Sequence, residues 1–587
     1  MNNKIMMNRK QTIVGMVAAA LLMAMIKDAE VPPTDDDGFV GSVPEEKHGS
    51  GENESGTSYA SFSINLPTTR GTRADNPEFK PGETNEYDVF NATLLVFKKG
   101  TTAGKVNYTL AEKVDLGSME PWKNPNETGV TTQAKITAKL SKVDKSGDYF
   151  ALVLLNNGSG TDAKVTLPSE GETFSAWNVA TNATNITDTK KGFYMANAPL
   201  YNATDKSVTT LVAIDKNKIF PTEAQASSGE AAADIYVERG LAKVTLTTAT
   251  KDEKPVATSS SYAGDKVKIN NWALDVTNKK TFPIHNVDKL GYEDIWKNEP
   301  AKSGPSTQRF VDNNPGTLAK RVYWGNDPNY SNSTLNTDKA ARAAEFNYVT
   351  ANTEVTADPT KPLYCLENTF NLANMMQGQT TRVIFKASYT PKDFTAADGK
   401  TFYKVGTSVA LWKQKDLEDH IKAAVSKVFS VTTTDDISIN LAAKGNDITA
   451  AGNHVITAAN FTVKGHDDVK PEEEQAVNDK VGLTKDAGIS TYANGESYYI
   501  ARIKHFGDAL TPWNSGESYG DNNLKYLGRY GMLRNNWYEL DVQSVSGPGY
   551  PDVPEVKPNT PDDEDDKYIK VSVKILDWAK RTQKVDL

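Results

Sequence analysis

The chain is poor in the residues on which most small-molecule chemistry depends. Its 587 residues include one cysteine, Cys365, and six scattered histidines: His48, His285, His420, His454, His466 and His505. A single thiol excludes an intrachain disulfide and any multi-cysteine metal site. Cys365 sits in Leu363-Tyr364-Cys365-Leu366, the setting of a buried, inert thiol. No histidine lies at ligand spacing from another or from an acid, so surface or hydrogen-bonded histidines are expected, and no metal site is assigned. No P-loop occurs. Lysine and arginine (66) are outnumbered by acids (75) and do not cluster, which argues against a nucleic-acid partner. The acidic runs Asp35-Asp36-Asp37 and Asp562 to Asp566 lack a bidentate glutamate at loop spacing and read as solvated charge. No catalytic residue and no cofactor follow from these patterns, and the expectation is a non-enzyme.

What is present begins with Lys4, Arg9 and Lys10 before an apolar run from Thr12 to Ile26, after which Lys27, Asp28 and Glu30 restore polarity. The run is shorter than the roughly 20 residues a spanning helix needs, so 1–27 reads as a signal segment and the chain as exported. Residues 28–57 have little to bury and read as a disordered acidic tether.

From Tyr59 the pattern becomes a strand. Ala60, Phe62, Ile64 and Leu66 occupy one face and Tyr59, Ser61, Ser63 and Asn65 the other, as in a half-buried strand. Pro67 to Pro77 follows with Arg70 and Arg73 among turn residues, which predicts an exposed, protease-sensitive loop within a first unit at 58–73. Further strands are expected at Thr93 to Phe97, Tyr149 to Leu155, Asp234 to Val237, Lys243 to Leu246, Trp272 to Val276, Val383 to Tyr389 and Tyr498 to Ile503. Helices are expected only at Thr337 to Glu345 and Asp416 to Val428. The length calls for more than one core, and a boundary near Ala231 to Gly240 divides 74–235 from 236–545.

Residues 546–566 combine five prolines with Asp562-Asp563-Glu564-Asp565-Asp566. Such a linker is expected to be extended, and at ~3.1 Å per residue it would reach roughly 60 Å. Beyond it, in 567–587, Ile569, Val571, Val573 and Ile575 alternate with Lys570, Ser572 and Lys574 and lead to Trp578. A lone strand must pair with some sheet edge. Two readings follow: a return to its own domain, or strand addition to another molecule.

Several segments together resemble the Bacteroidetes type V pilins (fimbrillins), most closely the major subunits of the short, Mfa-type fimbriae. They are Leu66 to Asn76, Tyr87 to Phe97, Val237-Glu238-Arg239-Gly240-Leu241-Ala242-Lys243-Val244, Arg534-Asn535-Asn536-Trp537-Tyr538-Glu539-Leu540-Asp541-Val542, and the ending that closes on Trp578. The resemblance implies a mainly β fold of two tandem β-sandwich domains, transthyretin-like or Greek-key, with minor helices and a C-terminal donor strand. It also implies a lipidated precursor on the outer membrane and a surface fimbria whose partners are neighbouring pilin subunits. An arginine-specific extracellular protease would cut after Arg73, with Arg70 as the second site. Removing the first strand would then vacate the groove of Ala60, Phe62, Ile64 and Leu66 for Ile569, Val571, Val573, Ile575 and Trp578 of another subunit. Adhesion to a host or bacterial surface receptor goes with the family, though no residue identifies a receptor. The apolar run carries no cysteine for lipidation, which departs from the family pattern. The nine Trp and 24 Tyr leave open an outer-surface carbohydrate-binding lipoprotein with tandem β-sandwiches, a function that needs no detached strand.

Overall fold

A run of apolar residues without polar alternation has to bury both faces, and Leu94, Leu95, Val96 and Phe97 are all fully buried. The computed structural model describes residues 49–65, 86, 88–119, 133–182, 185–202, 207–287, 320–322, 324–370, 372–506, 511, 526–563 and 569–576. The signal segment, most of the tether, Leu66, Arg70, Arg73 and Trp578 lie outside the described residues.

Seven strands build the first sheet: β1 Ser58–Asn65, β2 Ala92–Thr102, β3 Lys105–Gly117, β4 Gln133–Leu140, β5 Tyr149–Leu155, β6 Met195–Asn197 and β7 Ala233–Arg239. Their order is β3-β2-β5-β6-β7-β1-β4, with the short Val212–Ala213 strand branching from β5. Leu94, Val96, Ala151 and Val153 share one core with Ala60, Phe62, Ile64 and Ile235, so the two ends of the sheet enclose it between them. The opposite faces of β2 and β5, carrying Leu95, Phe97, Leu152 and Leu154, pack with Trp177, Tyr194, Leu241, Leu366 and Trp537.

The second half contributes β8 Leu241–Leu246, β9 Lys266–Asp275, β10 Leu363–Leu366, β11 Arg382–Thr390, β12 Glu496–Arg502, β13 Trp537–Val545 and β14 Ile569–Leu576. One four-stranded sheet runs β10-β8-β13-β14, and the short Lys254–Pro255 strand joins β9, β11 and β12 in another. Val244, Leu540, Val542 and Val573 of the former meet Trp272, Val383, Phe385 and Tyr499 of the latter, which is face-to-face sandwich packing. Cys365 lies in this core, where burial pushes its thiol up to about 12. The fold is mainly β, as the alternating runs predict.

Helices are short except for α3. In chain order the ones used below are α1 Glu223–Ser228, α2 Lys339–Glu345, α3 Gln414–Phe429 and α4 Pro471–Val481. The stripe of Leu417, Ile421, Ala424 and Val425 on α3 is buried in a core shared with Val477 and Val481 of α4. Sequence reading missed α1 and α4. The end signals of α4 are in the sequence, with Pro471 and three glutamates in its first turn and Gly482 closing it at φ +86°. It lacks the long apolar stripe that marks α3.

The chain passes from β7 to β8 through one residue, Gly240, where a Cβ would stand 3.1 Å from the Tyr194 ring. Both halves lie in one compact unit spanning 46–587.

Candidate functional site: the first strand and the C-terminal tail

β1 lies inside its sheet. It pairs in parallel with β7, Phe62 opposite Ala233, and antiparallel with β4, Phe62 opposite Ile136. Ala60, Phe62 and Ile64 have no exposed surface. The expected solvent face of this strand is also covered: Ser61, Ser63 and Asn65 are buried beneath α1 and beside β4. Such polar groups are tolerated because each has a partner. Ser61 Oγ donates to the Ala226 carbonyl of α1, Gln133 donates to Ser63 Oγ, and Asn65 donates to Asp234 and to the Ile235 carbonyl at 3.1 Å. Sequence alternation predicted a half-buried strand because it cannot show a short helix laid across the polar side.

β14 sits at an edge. Among the described residues it pairs with β13 alone, antiparallel, in the register Val573 to Leu540 and Val571 to Val542, with a bulge between Val542 and Ser544. Val573 is buried and Val571 half-buried against the second core. Ile569 and Ile575 stand opposite Val545 and Tyr538. Within this single chain the strand is thus seated on its own sheet, the first of the two readings above. The first and last strands have equal lengths of eight residues and unequal neighbours, two for β1 and one for β14.

The proline-rich segment departs from the expected free spacer: residues 546–563 are laid along the second half. Tyr550 exchanges two 2.8 Å backbone bonds with Tyr498, and Gly549, at φ +67°, brings the chain so close that a Cβ would meet the Tyr498 carbonyl at 2.5 Å. Asn352 donates to Asp552 at 2.7 Å, and Arg382 donates to the Pro554 carbonyl at 3.0 Å. Thr380 donates to Asp562, which also lies 3.4 Å from Arg502. Arg529 grips Asp563 through Nε and Nη2 at 2.9 and 2.7 Å, and Tyr530 donates to the same carboxylate at 2.9 Å. Like charge extends a chain in water, whereas here Arg502 and Arg529, distant in sequence, neutralise two of the acids. Between Asp563 and Ile569 six residue steps remain, at most about 20 Å of reach while the latch holds.

Breaking a buried ion pair on one side leaves a charge uncompensated. Asp563→Ala is therefore expected to cost about 3–5 kcal/mol in chemical denaturation of the second half. An unchanged midpoint would show that the tail is not held at Arg529.

A second polar cluster joins the halves. Lys243 pairs with Glu86 at 2.5 Å, both fully buried, and its Nζ stands 3.9 Å from the centre of the Trp537 ring. Tyr364 donates to Glu86 at 2.7 Å, while Arg239 donates to the Glu86 carbonyl at 3.0 and 3.2 Å. Arg534 donates to Glu367, and His285 Nδ1 lies 3.0 Å from Glu238. His505 Nδ1 lies 2.8 Å from the Tyr538 hydroxyl. Val237 to Val244 and Arg534 to Val542, far apart in sequence, thus meet here, with β8 and β13 paired in parallel from Lys243 and Trp537 onward.

Among the described residues no group of three or more His, Cys, Asp or Glu is arranged to hold a metal ion, and no helix is long and apolar enough to cross a membrane. No curated protein matches the chain. Residues 490–584, which span β12, β13, the docked tail and β14, match the family model described as "Major fimbrial subunit protein type IV, Fimbrillin, C-terminal". The C-terminal part of this chain is therefore similar to the fimbrillins, and that similarity supports a structural, fimbrial subunit that polymerises at the cell surface.

Proposed function

We propose that the chain is a fimbrillin of the type V, Mfa-like kind, exported through its N-terminal signal segment and assembled at the outer membrane by protease-triggered donor-strand exchange. Adhesion to other surfaces through the fimbria is part of this reading. The observation that carries it is the asymmetry between the terminal strands. β1 fills a groove with a ladder on each side, and β14 holds an edge with one ladder. Loss of β1 would leave β4 without its partner along eight residues and one side of β7 unpaired along four, beside a core that has lost Ala60, Phe62 and Ile64. A strand of eight residues with apolar side chains at period two fits that vacancy and gains a second ladder by moving there.

The trigger in this reading is cleavage after Arg73, with Arg70 as the second site, directly beyond β1. Assembly then divides the chain into two tandem domains, 74–235 and 236–545, and a lent strand at 567–587. The carbohydrate-binding lipoprotein reading gives no role to a C-terminal strand of matching length. Replacing Arg70 and Arg73 together with alanine is expected to leave a folded monomer that forms no filaments after limited trypsin treatment, whereas the parent chain polymerises. Electron microscopy of both preparations decides the matter: filaments of equal abundance would rule out processing in this loop as the switch.

A further inference from the structure

A cavity of about 420 Å³ opens between α2 with the residues that follow it and the docked tail, a volume within the range of small-ligand sites. Its wall contains Arg342, Tyr348, Val553, Pro554 and Val556, with Lys339 also lining it. Arg342 is only 6% exposed. A guanidinium taken that far out of water is ordinarily met by a carboxylate. Here one N–H donates to the Leu335 carbonyl at 2.8 Å and the group lies beside the Tyr348 hydroxyl. That hydroxyl donates in turn to the Gly378 carbonyl at 2.7 Å. Among the described residues no acid forms an ion pair with Arg342, whereas Arg382, Arg529 and Arg534 in the same half each have one. The cavity therefore has a buried positive charge at its wall and apolar surface around it.

The rest of the wall narrows the ligand. Tyr348 offers an aromatic ring, and Val553, Val556 and the two prolines at 554 and 558 offer apolar faces suited to the C–H side of a compact ring. The same prolines have no N–H, so the wall is not an edge to which an extended peptide could add as a strand. Exposed Glu555 at the lining would repel a multiply acidic peptide. We propose that this cavity binds a compact monocarboxylate with a ring body, the chemistry of a sugar acid, and that Arg342 receives its carboxylate. The site uses neither β1 nor β14, although its wall at 553–558 belongs to the docked tail, so the test is made on the intact chain.

The test is titration calorimetry on the full chain with glucuronic acid and N-acetylneuraminic acid, beside glucuronic acid methyl ester and a peptide of sequence Asp-Asp-Glu-Asp-Asp. At least one acid is expected to bind, with the ester and the peptide at least about tenfold weaker. Arg342→Gln should weaken the acid by about tenfold or more, with the thermal unfolding curve of the variant checked in parallel. Val553→Phe fills the cavity and leaves every charge in place, so it decides the case if the arginine variant does not fold. Loss of binding in Val553→Phe supports the site. Retention of binding there overturns the proposal, as do failure of both acids to bind, equal binding of the ester, or preference for the peptide.

Discussion

Phe62→Asp is expected to unfold the first sheet of the intact chain. Phe62 has no exposed surface, and its backbone is paired on both sides. Removing a buried phenylalanine costs about 3–5 kcal/mol, and an unpaired carboxylate in its place adds to that or is driven to protonate. Against a typical domain stability of 5–15 kcal/mol, the sum is enough to lose the native state near room temperature. Ser63→Ala makes the comparison sharp. It deletes a hydroxyl on the opposite face, where Gln133 alone loses its partner, and is expected to cost about 1–3 kcal/mol. Chemical denaturation of both variants, followed by tryptophan fluorescence and near-ultraviolet circular dichroism, tests the placement. A Phe62→Asp chain with the parent's midpoint would mean that the side chain is outside the core.

How far this could be seen in the sequence depends on what each element buries. Period-two alternation finds a strand with one face in a core, which is why Val383 to Tyr389 lies within β11, and an uninterrupted apolar run finds one buried on both faces, as Tyr149 to Leu155 in β5. The stripe on α3 was readable for the same reason, at period 3.6. Alternation says nothing of a polar face covered by another element, so the burial of Ser61, Ser63 and Asn65 under α1 was invisible. Charge runs were misread for a related reason. Asp562 and Asp563 look solvated until Arg502 and Arg529, distant in sequence, are brought to them by the fold. Arg342 shows the converse: it reads as an ordinary helical arginine, and only its burial without an acid sets it apart. The junction residues Glu238, Arg239, Lys243 and Arg534 stood out only through a family resemblance. Their polar contacts with Glu86, His285 and Glu367 supply the physical reason for those residue types.

Val573→Asp is expected to abolish filaments while leaving a subunit that can still accept a strand. On β14, Val573 stands opposite Leu540 and is 8% exposed, so its face is the one that enters a core. In strand exchange the same face, with Ile569, Val571 and Ile575, would replace Ala60, Phe62 and Ile64 between β4 and β7. Each buried Val or Ile contributes about 1.5–3 kcal/mol, so one aspartate removes one such term and adds the cost of a buried charge. A one-residue slip offers no escape, because it turns Lys570, Ser572 and Lys574 inward. The substitution also weakens the edge seat on β13, and the two effects must be told apart. Trypsin-processed Val573→Asp subunits mixed with the parent should cap growing filaments, since their groove is intact and only the donor is defective. A synthetic peptide spanning Tyr568 to Trp578 should bind processed subunits, and the same peptide carrying Val573→Asp should not. Filaments formed by the variant alone, at the parent's length and abundance, would show that β14 stays on its own sheet and that subunits join by some other surface.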